Sequence, residues 1–382
     1  MQRLLVIHGG GPTAVLNSSL YGVIKAGQAQ HLEVLGARNG IAGLLGEDFI
    51  PLSERSDVEI AALLHSPGTA IGSSRTPLQQ QDYPHLVKIL QQNQIDFVLM
   101  SGGNGTMTTA HKLATACRPT GISVLGIPKT IDNDLGGIDH APGFLSAANY
   151  IRQTVREIAA DVASLPIHVC IIELMGRNAG WLTAAAALAA KPTERLAPDL
   201  IYVPEHAFDE TQFLHDVQAV YAQKGSAIVV VAEGLKNAAG QSIVPTRFKA
   251  GRAVYFGEVG SYLAEQVTKQ LGLKARNEKP GLAGRASIAA QTKRDRTEAI
   301  AAGRMAVAAV LDEQTDQLVG LLTDHNAKTH YELLPLAAVA QQTRVLPAHY
   351  INAAGNGITT DYRNWLGPRL ADTPLPEIVN FN

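Results

Sequence analysis

Cysteine is nearly absent: of 382 residues only Cys117 and Cys170 are cysteines, each in or beside an apolar run. Two such thiols exclude a disulfide-stapled scaffold and read as reduced, buried side chains. Aromatics are scarce at 5%, and no apolar stretch approaches the ~20 residues that a bilayer span requires. The longest candidate, Trp181–Ala190, is alanine-rich and reads as a tightly packed helix. An excess of one charge is missing too. Lys and Arg number 32 against 34 Asp and Glu, a formal net charge of -2, so neither a nucleic acid nor a membrane is expected as a partner. His65, His85, His111, His140, His168 and His206 are scattered, with no HExxH and no Cys pair, which argues against a zinc site. No G-x-S-x-G elbow occurs, since GEVGS at Gly257–Ser261 does not match it. The start MQRLLVIHGG enters a strand after one basic residue without a cleavage pattern, from which a cytoplasmic protein is expected.

What is present is α/β grammar, in a chain long enough for two to three domains at about 150 residues each. Short apolar strands run into glycine-rich or polar turns: Leu4–Ile7 before GGGPT, Phe97–Met100 before SGGNGT, Val124–Ile127 before PKTIDND, Val169–Glu173 before LMGRNAG, and Ala227–Val231 before AEG. Runs such as Ile228–Ala232 are apolar on both faces, as in parallel strands covered by helices on each side. Parallel sheets put their sites at strand C-terminal ends, where these turns fall. Helices are expected over Tyr150–Ala160, from Gly251 to about Leu271, and over Arg296–Asp312.

The turns His8–Asn17 and Ser101–Ala110 each lie between a strand and a helix, where backbone N–H groups can hold phosphate oxygens. Neither spacing is that of a Walker loop or a dinucleotide fingerprint, and a plain tight connection is the alternative reading. His8 reads as a packed group rather than a base. Pro128–Leu135 gathers Lys129, Thr130, Asp132 and Asp134 at a strand end. A carboxylate to accept a hydroxyl proton, a second for Mg²⁺ on a polyphosphate, and a cation to neutralise charge suit phosphoryl transfer. An Asx-type turn with a surface lysine is the plainer alternative. Arg177, in the turn after Glu173, can pair with a phosphoryl oxygen or a carboxylate, and Glu233 can accept sugar hydroxyl hydrogen bonds. Lys274, Arg276, Lys279 and Arg285 concentrate positive charge within twelve residues, which suits a small anion.

On these motifs the chain resembles the phosphofructokinase family over nearly its whole length. The family's first glycine loop is similar to Gly9–Asn17, its nucleotide arginine loop to Gly72–Arg75, and its second glycine loop to Gly102–Thr106. Its TIDND run stands unchanged at Thr130–Asp134, its Met-Gly-Arg segment at Met175–Arg177, its sugar-binding Glu at Glu233, and two phosphate-binding arginines at Arg276 and Arg285. The resemblance implies two three-layer α/β/α domains with the active site between them: a donor domain over residues 1–143 plus part of 286–325, a sugar domain over 144–285, and a C-terminal extension over 326–382 packed on both.

It further implies transfer of a terminal phosphoryl group to the carbon-1 hydroxyl of fructose 6-phosphate. Asp132 would be the general base, and Arg177 and Thr130 would stabilise charge together with Mg²⁺, assisted by Lys129. Asp134 and Asn104 would lie near the metal, Asn104 standing where members commonly have Asp. Gly10, Gly11, Arg75, Gly103, Asn104, Gly105 and Thr106 would hold the donor. The acceptor would meet Thr130, Asp132, His168, Met175, Gly176, Arg177, Glu233, Arg276 and Arg285. Gly105 favours ATP, because pyrophosphate users tend to carry Asp there, whereas Lys129 is the residue usual in pyrophosphate users. The 6-phosphate site departs from the pattern at His168, Leu282 and Gly284, which opens the alternative of another sugar or sugar phosphate. A homodimer or homotetramer is implied, since family sites borrow residues from a neighbouring subunit. Two other classes remain as alternatives: a catalytically silent ligand-binding homologue, and a hydrolase that activates water with the acidic loop.

Overall fold

The apolar strands seen in the sequence form the centres of two largely parallel sheets. The computed structural model describes every residue except 192, 193, 195, 251, 252, 341 and 380–382. In chain order the strands are β1 (Arg3–His8), β2 (Glu33–Ala37), β3 (Phe49–Pro51), β4 (Phe97–Gly102), β5 (Ser123–Pro128), β6 (Val169–Leu174), β7 (Leu200–Tyr202), β8 (Ala227–Ala232), β9 (Thr246–Ala250), β10 (Ala253–Phe256), β11 (Ala275–Glu278), β12 (Gln317–Thr323) and β13 (Thr329–Pro335). The first sheet is ordered β13-β12-β5-β4-β1-β2-β3, with β3 and β13 antiparallel at its edges and the other strands parallel. The second, β11-β6-β8-β7, is parallel throughout.

Strand alternation sends successive side chains to opposite faces, and both faces of the first sheet are buried. Leu5, Ile7, Val98 and Met100 belong to one apolar cluster, while Leu4, Val6, Phe97 and Leu99 belong to another. Helices Leu16–Ala29 and Lys293–Leu311 meet on the latter face through glycine. A Cβ on Gly22 would stand 2.2 Å from the Ile300 carbonyl oxygen, and one on Gly303 2.3 Å from that of Ser19. In the second sheet Val169, Ile171, Val229 and Val231 pack with Phe213, Val217, Leu263 and Val267.

The chain divides into two compact units, Met1–Ala147 with Arg285–Arg344, and Ala148–Gly284 with Val345–Asn382. The first crossing falls inside the first turn of the helix Phe144–Ser164 rather than in a linker. The C-terminal segment is shared out: β13 is an edge strand of the first sheet, and the chain from Val345 onward belongs to the second unit.

The helix expected from Gly251 to Leu271 begins instead at Val259, and residues 253–256 form a strand antiparallel to β9; Gly251 itself lies outside the described residues. The β-branched and aromatic run Val254-Tyr255-Phe256 favours an extended chain, and its pairing with β9 overrides the helical reading. Cys117 and Cys170 are free and buried, and burial pushes both thiols up to about 12. Among the described residues no helix is long and apolar enough to cross a membrane.

Candidate active site

In the first unit three strand ends bring the sequence motifs together. The chain leaves β1 through Gly9–Gly11, where Gly9 N donates to Ser101 O at 2.9 Å and Gly10 N to Ser74 O at 3.2 Å. Lys129, immediately after β5, runs beneath this loop: its Nζ donates to the carbonyls of Gly9 at 2.8 Å and Gly11 at 2.6 Å. The side chain is only 3% exposed, and burial, then the positive charge of Arg285, push its pKa down to about 8 against the pull of Asp132. His8 is also buried; burial and Lys129 drive its pKa down to about 3, and its Nδ1 meets Thr69 Oγ1 at 2.8 Å. It is a neutral packed group.

The second glycine loop opens a helix directly, with Gly103 as N-cap of Asn104–Cys117, so first-turn N–H groups are presented at the end of β4. The Thr106 hydroxyl turns inward, close enough to Gly9 and Gly102 that a Cβ on either would lie within 2.3 Å of Oγ1. No heavy atom lies within 4 Å of the corresponding point on Gly105. Asn104 Nδ2 donates to the Asp134 backbone oxygen at 3.1 Å and to its Oδ2 at 2.8 Å, which leaves Asn104 Oδ1 buried without a hydrogen bond.

The acidic loop is ordered by its own threonine. Thr130 Oγ1 donates to Asp134 Oδ1 at 3.1 Å and accepts from Asp132 N at the same distance. Asn133 takes φ 53°, and its buried Oδ1 accepts from Ala141 N at 3.0 Å.

Beside the first glycine loop lies a cavity of about 480 Å³, lined by Gly10, Gly11, Ser73, Ser74, Arg75 and Arg285 among others. A Cβ on Gly11 would be 2.8 Å from Arg285 Nη1, and Arg285 Nε is buried without a hydrogen bond. Burial and the neighbouring Arg75 both lower the Arg285 pKa while Asp132 raises it. Arg75, Arg285 and Lys129 thus share one electrostatic environment, a setting that favours an anion.

In the second unit Met175, Gly176 and Arg177 follow β6, and Gly176 N donates to Glu233 Oε1 at 3.4 Å. Gly234 backs onto this turn so closely that a Cβ there would be 1.9 Å from Arg177 O. Arg177 is exposed. His168 and Arg276 share a separate cavity of about 270 Å³ with Glu157, Asp161, Cys170 and Glu278. Both ring nitrogens of His168 are buried without a hydrogen bond, and burial followed by Arg276 and Lys274 lowers its pKa. Leu282 is 65% exposed. A Cβ on Gly284 would be 2.9 Å from the Tyr150 ring, so a longer side chain there needs that ring to move.

The three phosphate-site candidates therefore divide: His168 and Arg276 share one cavity, whereas Arg285 lines the glycine-loop cavity with Arg75. The sequence reading passed over Asp295 and Glu298, buried carboxylates behind the acidic loop. Their available signal was Thr292-x-x-Asp295 ahead of an apolar run, a helix N-terminus pattern. Glu205 was also missed; its Oε1 accepts from Gly180 N and Leu346 N, both at 2.8 Å.

Two largely parallel sheets whose strand ends carry glycine loops and an acidic loop place the chain among α/β proteins with sites at their strand ends. The phosphofructokinase family model matches residues 3–310. A pyrophosphate–fructose 6-phosphate 1-phosphotransferase of Xanthomonas campestris is 37% identical, over 98% of this chain and 93% of that protein. A sulfofructose kinase of Alkalicoccus urumqiensis is 32% identical, over 95% of this chain and 94% of that protein. The crystal structure of a pyrophosphate-dependent phosphofructokinase from Nitrosospira multiformis superposes with a TM-score of 0.89 at 31% identity, covering 100% of this chain and 95% of that one. The chain belongs to the phosphofructokinase family, has its two-domain α/β fold, and is a phosphofructokinase-like kinase.

Proposed function

We propose that this kinase moves the terminal phosphoryl group of ATP to the carbon-1 hydroxyl of fructose 6-phosphate. The observation that carries the transfer reading is the ordered loop Lys129–Asp134 beside a cavity lined by arginines and glycine backbone. Asp132 accepts the hydroxyl proton, and the hydrogen bond from its N–H to Thr130 Oγ1 holds the loop's shape as it does so. Arg75, Arg285 and Lys129 neutralise donor phosphates, and Arg177 stabilises the phosphoryl group in transit. Glu233 and the Met175–Arg177 backbone hold the sugar.

The donor set suits Mg²⁺, which prefers oxygen ligands and keeps substrate phosphates and water in its shell. Asp134 would supply a carboxylate, and Asn104 Oδ1, buried without a hydrogen bond, would supply a neutral oxygen. Bound there, the ion would neutralise charge on the donor phosphates.

ATP is favoured by the open space over Gly105, which leaves room at the start of the second-loop helix. Pyrophosphate is the second reading, supported by the Xanthomonas and Nitrosospira relatives and by Lys129. For the acceptor, the carboxylates Glu157, Asp161 and Glu278 around His168 and Arg276 oppose an anionic 6-substituent and so support an unphosphorylated sugar as the second reading; a sulfosugar reading is supported separately by the sulfofructose kinase among the relatives.

The test is a phosphorylation assay with Mg²⁺ and ATP or pyrophosphate against fructose 6-phosphate, sulfofructose and fructose. Transfer from ATP to fructose 6-phosphate, lost by at least about 100-fold in Asp132→Asn, is the expected outcome. Turnover with pyrophosphate and none with ATP overturns the donor; phosphate release independent of acceptor overturns the kinase reading.

A further inference from the structure

The acidic loop is braced from behind by residues far from it in sequence. The segment 139–146 lies along it: Ala141 N donates to Asn133 Oδ1 at 3.0 Å, Thr130 N donates to Pro142 O at 3.3 Å, and Thr130 and Gly143 form an isolated parallel bridge. This segment has no side-chain cap of its own at Gly143. Instead, the helix Lys293–Leu311 presents two buried carboxylates, Asp295 and Glu298, three residues apart and therefore on one face.

Asp295 is fully buried. Its Oδ1 accepts from Gly143 N at 2.9 Å, and its Oδ2 accepts from Ser146 N at 2.9 Å and from Ser146 Oγ at 2.6 Å. It thereby satisfies N–H groups at the start of the helix Phe144–Ser164, where a negative charge is also favoured by the helix dipole. Thr292 Oγ1 in turn accepts from Asp295 N at 3.0 Å, which seats Asp295 in its own helix. Glu298 Oε2 lies 2.7 Å from His140 Nε2, and Asp139 Oδ2 lies 2.8 Å from His140 Nδ1. The brace leaves little room to yield: Gly143 has φ 106°, and a Cβ there would be 2.5 Å from Thr13 Cγ2 beside the first glycine loop.

We infer that Asp295 is a positioning residue for the transfer reaction, holding Gly143 and through it the Thr130 backbone that sets the acidic loop, with Glu298 as a second anchor through His140. Three hydrogen bonds link Asp295 to Asp132, from Gly143 N to Asp295, from Thr130 N to Pro142 O, and from Asp132 N to Thr130 Oγ1; a fourth, from Thr130 Oγ1 to Asp134, extends the chain to the second carboxylate. Asp295 is fully buried and lines neither the glycine-loop cavity nor the one at His168, so its loss should displace the base rather than the binding groups, and a misplaced reacting group is felt in the chemical step. The inference rests on the proposed role of Asp132 for its kinetic consequence but not for its structural one.

Asp295→Asn keeps the shape and turns one acceptor into a donor facing Gly143 N or Ser146. The expected result is a fall in kcat of at least tenfold with both KM values within about threefold of the wild type, together with at least tenfold faster amide hydrogen exchange in residues 129–135. Ser146→Ala, which removes one of the three bonds and leaves the carboxylate and Gly143 paired, should show the same pattern at smaller size and serves if Asp295→Asn does not fold. Faster exchange confined to 143–150, with 129–135 as in the wild type, overturns the inference by making Asp295 a helix cap only. So does a normal kcat per folded molecule. If the wild type transfers no phosphoryl group, the function reading fails, and the exchange measurement still decides the brace.

Discussion

The ammonium of Lys129 donates a 2.6 Å hydrogen bond to the carbonyl oxygen of Gly11, across 118 residues of chain, so the first glycine loop and the acidic loop share one buried cation. Replacing Lys129 strands two loop carbonyls, those of Gly9 and Gly11, in a buried place where unpaired acceptors are costly. Lys129→Met should therefore weaken donor binding at least tenfold and lower the melting temperature, both readable by calorimetry with the nucleotide or pyrophosphate.

The same lysine should give a pH signature. Its pKa is lowered to about 8 in the fold, by burial first and Arg285 second, against 10.5 in the unfolded chain. Between those values the unfolded state holds more protons, so this group's contribution to stability is fully present above 10.5 and is lost as pH falls through 8. Donor binding moves oppositely. Above pH 8 the free protein loses this cation, and donor affinity should fall by roughly tenfold per unit; a flat binding profile to pH 9.5 would contradict it.

His140 and Glu298 form a buried pair whose titrations pull in complementary directions. Burial lowers the His140 pKa, but the hydrogen bonds its ring donates to Asp139 and Glu298, with the charge of those carboxylates, outweigh it and the net shift is upward. Burial raises Glu298, but the hydrogen bond and charge of His140, with Thr329 and Arg294, bring it down to about 2. The His140 contribution is complete below 6.5 and is lost as pH rises through the raised folded value; the Glu298 contribution is complete above 4.5 and is lost as pH falls towards 2. Urea midpoints should fall on both sides of that window, and Glu298→Gln should cost about 3–5 kcal/mol and flatten the acid side.

Gly105 is the position to test for donor choice. With no heavy atom within 4 Å of its Cβ direction, Gly105→Asp should fold normally, and the added carboxylate should oppose a nucleotide. A fall of at least tenfold in kcat/KM for ATP, with the pyrophosphate value unchanged or higher, is expected; equal losses for both donors would assign Gly105 no selectivity.

The contact between helices Leu16–Ala29 and Lys293–Leu311 tolerates no side chain at its crossing. Gly303→Val must push its Cβ away from the Ser19 carbonyl, which sits 2.3 Å from that point. Overpacking of this kind costs about 1–3 kcal/mol, to be read as a lower urea midpoint with an unchanged slope.

Much of this was legible in local pattern. The expected strand Phe97–Met100 extends to Phe97–Gly102, Val124–Ile127 to Ser123–Pro128, and Ala227–Val231 to Ala227–Ala232, because apolar runs closed by glycine, proline or polar residues carry their own boundaries. The short edge strands β3 and β7 and the hairpin of β9 and β10 were not readable, since three to five residues seldom show a period and pairing decides them.

By itself, the sequence determined the α/β class and the chemistry of the loops, because Lys129, Thr130, Asp132 and Asp134 stand within six consecutive residues and strand ends present such residues together. Only the tertiary structure decided which distant groups share a space. It joined Arg285 to Arg75 on the glycine loop, ran Lys129 under Gly9 and Gly11, and set Asp295 behind Gly143. Those outcomes depend on burial and on contacts across more than a hundred residues, and desolvation, which gives each of these charges its meaning, is a property of packing rather than of neighbours in the chain.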